Sequence, residues 1–91
     1  MTKITKDMIK ELYEAIIALD NVEECEKFFE DLCTYQEVEK MAQRIIAAKM
    51  LHGGKTYAQV ISATDISSAT LSRVSRSLQY GEGYKKLFGK E

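Results

Sequence analysis

The stretch 56–78 constrains the fold most, because it has the pattern of two short helices joined by a tight turn. Thr56 and Gln59 have the spacing of a capping box, in which each side chain accepts a hydrogen bond from the other residue's backbone N–H. Asp65 falls at the turn, where a positive φ is often needed and Asp is one of the residues that tolerate it. Ser67 then supplies a second N-cap oxygen. These residues predict a helix-turn-helix.

The second helix of this motif has an apolar face and a polar face. Leu71, Val74 and Leu78 recur at spacings of three and four and form the apolar stripe. The opposite face carries hydroxyls and arginines with almost no acid: Ser68, Thr70, Ser72, Arg73 and Arg76. Such a face suits a helix in the DNA major groove, where hydroxyls reach base edges and arginines reach guanine or phosphate. The alternative is a helical hairpin whose polar face is only solvated, because helix-turn-helix patterns are degenerate.

Charge is distributed unevenly along the chain. The 91 residues have a formal net charge of −1. Residues 1–40 hold five Lys and eleven Asp or Glu, whereas residues 41–91 hold eight Lys or Arg and three acids. A basic half joined to an acidic half is expected when one face meets phosphate. Because charge also divides unevenly by chance in many small proteins, this asymmetry only supports the DNA-binding interpretation.

The composition predicts one small all-α domain. The chain is 45% hydrophobic and 30% charged, and it has no Pro and no Gly before position 53. Cys25 and Cys33 lie eight positions apart on one predicted helix, too far apart to bridge, so we expect buried thiols. The sequence shows no signal peptide and no apolar run near the length of a membrane span. We therefore expect a cytoplasmic protein without a membrane partner.

Two amphipathic helices are predicted before residue 34, with Thr5 and Asn21 as their N-caps. Their apolar residues are Met8, Ile9, Leu12, Tyr13, Ile16, Ile17 and Leu19 in the first helix, and Val22, Cys25, Phe28, Phe29, Leu32 and Cys33 in the second. They either pack on the rest of the same monomer or embrace a second copy. We favour the second copy, because this apolar area is more than one small motif can cover.

A long central helix and a C-terminal tail complete the predicted domain. Thr34 and Glu37 form another capping box, and Gly53-Gly54 end the helix that follows. Its apolar residues predict two inner faces, one of Val38, Met41, Ala42, Ile45 and Ala48 and one of Ile46 and Met50. We predict a single domain over residues 1–91, divided into dimerisation helices at 1–33, the central helix at 34–54, the helix-turn-helix at 55–80 and a tail at 81–91 with a last short helix.

Several short stretches are more specific than a helix-turn-helix pattern alone. They are Leu32-Cys33-Thr34-Tyr35-Gln36-Glu37, Gln43-Arg44-Ile45, Gly54, Ala69-Thr70-Leu71-Ser72-Arg73 and Ser75-Arg76-Ser77-Leu78. In their order and spacing the chain resembles the tryptophan repressor family, and within it the YerC/YecD branch, over roughly residues 28–80. The resemblance implies an all-α intertwined homodimer of five to six helices. The first helices would wrap the partner, and two recognition helices would address neighbouring turns of the major groove of double-stranded DNA.

The resemblance also implies which residues meet DNA. Gln59 and Ser62 of the first motif helix would lie near the DNA backbone, and Lys55 and Arg76 are the candidates for phosphate contacts. The start of the recognition helix would lie near base edges. The full predicted DNA-binding set is Lys55, Gln59, Ser62, Ser67, Ser68, Ala69, Thr70, Ser72, Arg73 and Arg76. Because these side chains are short, much of the specificity is expected to come through bridging water and DNA shape.

In tryptophan-binding members of the family, a tryptophan corepressor lies between the central helix and the recognition helix. Carried over by motif, Thr34, Arg44, Arg73 and Ser77 match positions that line this pocket, where guanidiniums can sandwich an indole and pair with a carboxylate. Val74 stands where those members have glycine, and its β-branched side chain would fill part of the slot. We therefore expect no response to tryptophan and no cofactor, and leave another small effector open. The alternative is a local ion pair for Arg44 and a phosphate contact for Arg73.

Two other classes of function compete with this interpretation. An enzyme is not indicated, because His52 is the only histidine and no carboxylate pair, nucleophile elbow, phosphate loop or metal-ligand spacing accompanies it. The stronger alternative is a helical protein-interaction or dimerisation module without sequence-specific DNA binding. Salt discriminates the two, since DNA binding weakens steeply as salt rises and an apolar protein interface barely responds.

Overall fold

The computed structural model describes residues 2–89, so Met1 and the last two residues of the predicted tail lie outside it. The described residues form six helices and no strand, as the sequence predicted. The helices are α1 (Lys6–Ile17), α2 (Val22–Leu32), α3 (Tyr35–His52), α4 (Tyr57–Thr64), α5 (Ser68–Tyr80) and α6 (Gly83–Phe88). The all-α fold is therefore confirmed.

The predicted caps set the helix ends. The Met8 N–H donates to Thr5 Oγ1 at 3.2 Å at the start of α1, and the Glu24 N–H donates to Asn21 Oδ1 at 2.9 Å at the start of α2. Both caps satisfy N–H groups that have no partner inside the helix. Side-chain N-caps also begin α4 at Thr56 and α5 at Ser67, whereas the short α6 has no side-chain cap.

The end of α3 is a Schellman motif, in which two backbone bonds close the last turn. The Gly54 N–H donates to Leu51 O and the Lys55 N–H donates to Met50 O, both at 3.0 Å. Gly54 has a φ of 90°, which side chains with a Cβ rarely adopt. The predicted glycine stop of the central helix is confirmed.

The chain forms two compact units, one up to Tyr35 and one from Gln36 onward. In the first unit, neither α1 nor α2 contains a buried residue. Ile17 is 81% exposed and Val22 is 83% exposed, although both belong to the predicted apolar stripes. Cys25 and Cys33 are free thiols, as expected, but they are half-buried rather than buried. The apolar faces of these two helices are thus largely open in a single chain.

The second unit contains the buried core. Its members are Ala47, Ala48, Val60, Ile66, Leu71, Val74 and Phe88. The predicted apolar stripe of α5 is confirmed at Leu71 and Val74. The two predicted inner faces of α3 were too wide, because Ala47 and Ala48 are its only buried residues while Ile45 and Ile46 are exposed. The small side chains of Ala47 and Ala48 let other helices pack closely against α3. The spacing of apolar residues does not show which of them are buried in such a contact and which stay exposed.

The turn between α4 and α5 has the left-handed residue that the sequence predicted. Asp65 has φ 62° and ψ 17°, and its N–H donates to Ile61 O at 2.9 Å. The next residue, Ile66, is almost completely buried in the core. The left-handed step therefore turns the chain and at the same time carries an apolar anchor inward, which fixes where α5 begins.

Substitution of Asp65 tests how much this turn contributes to stability. We expect Asp65→Val to lower the free energy of unfolding by about 1–2 kcal/mol, because a Cβ disfavours the left-handed region and β-branching adds to the clash. Asp65→Gly serves as the control and should stay within about 1 kcal/mol of wild type, because glycine adopts this φ freely but gains freedom in the unfolded chain. Urea unfolding followed by circular dichroism measures both. Equal stability of Asp65→Val and wild type would contradict the left-handed conformation assigned to residue 65.

Candidate nucleic-acid interface and adjoining cavity

The start of α5 is fixed by its N-cap. Ser67 Oγ accepts from the Thr70 N–H at 3.2 Å and donates to Thr70 Oγ1 at 2.9 Å. The hydroxyl of Ser67 is therefore engaged within the chain as both donor and acceptor. Ser67, one of the predicted DNA-binding residues, is thus the N-cap of α5.

Successive residues of a helix are rotated by about 100°, so the core-facing stripe of α5 defines its outward face. Ala69, Ser72 and Arg76 lie opposite that stripe and are exposed. Ser68 is exposed on one flank. No acid occurs in α5, and the nearest ones, Asp65 and Glu82, flank it. Over residues 68–76 the outward face thus carries small, hydroxyl and basic side chains, which suit a face that meets a phosphate backbone and base edges.

The other flank of α5 borders a cavity of about 200 Å³. Its lining residues are Arg44 of α3, Thr70, Arg73, Val74 and Ser77 of α5, and Tyr84 of α6. The structure therefore brings together four of the five residues of the predicted effector pocket. The fifth, Thr34, directly precedes α3 and belongs to the first unit, so its part in the pocket stays a prediction.

Two unpaired guanidiniums dominate the chemistry of this cavity. Within residues 2–89, Arg44 and Arg73 have no ion pair and no hydrogen bond to another side chain, so the local ion pair considered for Arg44 is not found. Val74 is only 3% exposed, and its side chain forms part of the cavity wall. Arg73 lies between the cavity flank and the outward face. One arginine thus belongs to the margin of both surfaces.

The first motif helix presents its predicted contacts from a capped N-terminus. The Thr56 N–H donates to Gln59 Oε1 at 2.9 Å, while the Gln59 N–H donates to Thr56 Oγ1 at 3.2 Å. This confirms the predicted capping box and leaves the Gln59 amide nitrogen as a donor at the surface. Ser62 is exposed one turn later, and Lys55 is exposed just before the helix. All three can therefore be reached from solvent.

Two lining residues were not predicted for this pocket: Thr70, which was predicted to contact DNA, and Tyr84, which was predicted for no site. The ring of Tyr84 stacks on Phe88 with a centroid distance of 5.9 Å and an interplanar angle of 12°. Phe88 is buried and lies 5.0 Å from the ring of His52, at the end of α3. The i, i+4 spacing of the two aromatic residues was a signal of a shared face. It could not indicate that α6 folds back beside α5.

The order of the helices, the left-handed turn and the basic outward face of α5 define a helix-turn-helix protein. A family model described as "Trp repressor protein" matches residues 7–91, and the chain belongs to this family. It is a family of DNA-binding regulators rather than of enzymes. Among residues 2–89, no group of His, Cys, Asp or Glu could hold a metal ion, and no helix has the length and apolar character needed to cross a membrane.

Relatives support the same assignment in sequence and in structure. The chain is 43% identical over 79 residues to the uncharacterised protein YerC of Bacillus subtilis. This match covers 87% of this chain and 76% of YerC. A crystal structure of a candidate Trp repressor from Staphylococcus aureus matches with a TM-score of 0.89 and 43% identity, covering 97% of this chain and 89% of that one. A TrpR-like protein from Eubacterium eligens matches with a TM-score of 0.87 and 41% identity, covering 94% and 89%.

The side chain of Val74 offers a direct test of the cavity. We expect wild type to bind no free tryptophan and Val74→Gly to gain tryptophan binding, because the substitution enlarges the cavity between two arginines. The chain contains no Trp, so the fluorescence of added tryptophan reports binding without background from Trp residues. Glycine in a helix costs about 1 kcal/mol of stability, and loss of the buried Val74 side chain adds about 2 kcal/mol, so thermal unfolding is recorded alongside.

The double variant Arg44→Gln, Val74→Gly is the control for this gain. It should lose tryptophan binding again, because the enlarged cavity then lacks one guanidinium. Tryptophan binding by wild type, or a folded Val74→Gly that binds none, would contradict the role given to Val74.

Proposed function

We propose that this protein is a sequence-specific DNA-binding regulator that represses transcription as a homodimer in the cytoplasm. The observation that carries the proposal is the outward face of α5, which is exposed, free of acid and lined by small, hydroxyl and arginine side chains. A face of small side chains lets a helix approach the floor of the major groove, and its arginines supply charge towards phosphate.

The contacts divide by position on the motif. Ser68, Ala69 and Ser72 are the candidates for base edges, and Thr70, with its Oγ1 engaged by Ser67, contributes from the cavity flank. Arg76, Lys55, Ser62 and the amide of Gln59 are assigned to the DNA backbone. Backbone contacts position the protein, whereas base contacts specify the site. Since the base-facing side chains are short, water and DNA shape carry a large part of the readout.

The proposal includes a second copy of the chain. What supports it is the apolar surface of α1 and α2, where no residue is buried in a single chain. Apolar area of this extent is costly in water and is usually covered by an interface. Under this proposal the helices work as one domain, with α1 and α2 for dimerisation, α3 at the centre and α4 with α5 for DNA. Two symmetry-related α5 helices would read half-sites one helical turn apart.

We further propose that DNA binding by this protein does not require tryptophan. What supports this is that the side chain of Val74 forms part of the cavity wall and that the Tyr84 side chain lines the same cavity, so both reduce the room for a flat ring. The two guanidiniums keep the cavity suited to an anionic group, so an effector other than tryptophan stays compatible with the proposal.

DNA binding is tested by selection from a randomised duplex pool, with and without tryptophan, followed by affinity measurements on the selected operator. We expect a two-fold-related site and no effect of tryptophan. Arg76→Gln should weaken binding to operator and random duplex alike and lower the salt slope by about one, because one phosphate contact is lost. Ser72→Ala should instead reduce the preference for the operator.

Lys27→Gln is the charge-matched control, because Lys27 is exposed on α2 and pairs only weakly with Glu23 at 3.4 Å. It should leave both affinities unchanged. If no sequence is recovered and Arg76→Gln behaves as wild type does, the protein is an interaction module and the DNA-binding proposal is wrong.

The oligomeric state is tested by light scattering after size exclusion. We expect a mass of about twice the 10.3 kDa of the chain. Ile17→Asn should shift the protein towards monomer, because it replaces an exposed apolar side chain of α1 that a second copy would cover. Glu14→Asn, on the same helix, should leave the mass unchanged. A wild-type monomer at micromolar concentration would refute the homodimer.

A further inference from the structure

A hydrogen bond from α3 reaches the turn of the helix-turn-helix. Gln43 Nε2 donates to Thr64 O at 2.8 Å, and the two residues are 21 positions apart in the chain. The helix caps described above join residues only three positions apart. This bond is partly buried, so water cannot easily replace either of its two partners. It therefore links two helices at a defined point.

The acceptor, the carbonyl of Thr64, has no hydrogen-bond donor within its own helix, α4. Thr64 is the last residue of α4, and the last four carbonyls of a helix have no intrahelical partner. The N–H that would continue the ladder lies four residues further on, at Ser68, where α5 has already begun. The side-chain amide of Gln43, on α3, donates the hydrogen bond that this carbonyl would otherwise lack.

The same residue organises the rest of the turn. Thr64 Oγ1 donates to Val60 O at 2.7 Å and accepts from the Ile66 N–H at 3.3 Å. Between these two bonds lies the left-handed Asp65. The peptide plane whose oxygen Gln43 holds is thus the plane from which the chain enters the left-handed step. Rotation of that plane would redirect the start of α5.

We infer that Gln43 is a positioning residue for DNA recognition, which holds the Thr64 carbonyl so that α5 leaves the turn at the angle needed to read base edges. The inference rests on the proposed function, because it concerns the aim of the recognition helix. Gln43 itself lies on α3 and touches no base or phosphate under this assignment. Its effect is on the choice of sequence rather than on the attraction to phosphate.

The test compares Gln43→Met with Gln36→Met. Methionine keeps the length of the side chain and its lack of charge but has no N–H donor. Gln36 is exposed in the first turn of the same helix, so it controls for the substitution. For wild type and both variants, affinity is measured for the selected operator and for a random duplex at several salt concentrations. Thermal unfolding and backbone amide NMR spectra without DNA are recorded in parallel.

We expect Gln43→Met to lower the ratio of operator to random-duplex affinity about tenfold, a loss within the range of one mismatched base pair. The salt slope should not change, because no phosphate contact is lost. Amide resonances of residues 64–68 should move in Gln43→Met and not in Gln36→Met. If Gln43→Met does not fold, Gln43→Asn replaces it, since a side chain shorter by one methylene cannot reach the carbonyl at 2.8 Å.

An unchanged affinity ratio in a folded Gln43→Met protein would overturn the inference, as would unchanged resonances across the turn. A wild type that selects no operator would instead refute the proposed function. In that case the NMR comparison without DNA still decides whether Gln43 holds the turn.

Discussion

The left-handed step at Asp65 is the constraint on which the functional surface depends. It turns the chain between α4 and α5, Ile66 after it is buried in the core, and Ser67 caps α5. Once these three residues are placed, the register of α5 is settled, and with it which side chains face outward. The bond from Gln43 adds a contact from α3 to the same turn. A backbone conformation that costs energy for most residues is thus supported by burial on one side and by hydrogen bonds on the other.

Two surfaces meet along α5, and Arg73 belongs to the edge of each. Its helix position puts it between the outward face and the cavity that Arg44 and Tyr84 complete. A ligand that paired with these guanidiniums would therefore contact a residue at the margin of the outward face of α5, which we propose to bind DNA. Coupling between the two surfaces would need no movement of a distant element, because they share a helix and a side chain. Val74, which is 3% exposed, forms part of the wall of this cavity.

The uneven burial of the chain has a simple physical meaning. The second unit encloses a small core around Ala47 and Ala48, whereas the first unit buries none of the residues of its two helices. A chain of 91 residues can bury only a limited share of its apolar surface by itself. The exposed stripes of α1 and α2, together with exposed Ile45 and Ile46 on α3, are consistent with an association that completes the core. This open apolar surface is the observation behind the homodimer proposed above.

Local structure could be predicted from the order of the residues: the N-caps at Thr5, Asn21 and Ser67, the capping box at Thr56 and the left-handed Asp65. Each of these depends on atoms within four positions along the chain, so residue type and spacing are enough. The apolar stripe of α5 was equally readable, and with it the outward face. Three contacts could not be predicted in this way. Gln43 holds Thr64, Tyr84 borders the cavity with Arg44 and Arg73, and α3 buries two alanines while Ile45 stays exposed. These contacts join residues far apart in the chain, and they depend on the distances and angles at which helices pack, which periodicity does not specify.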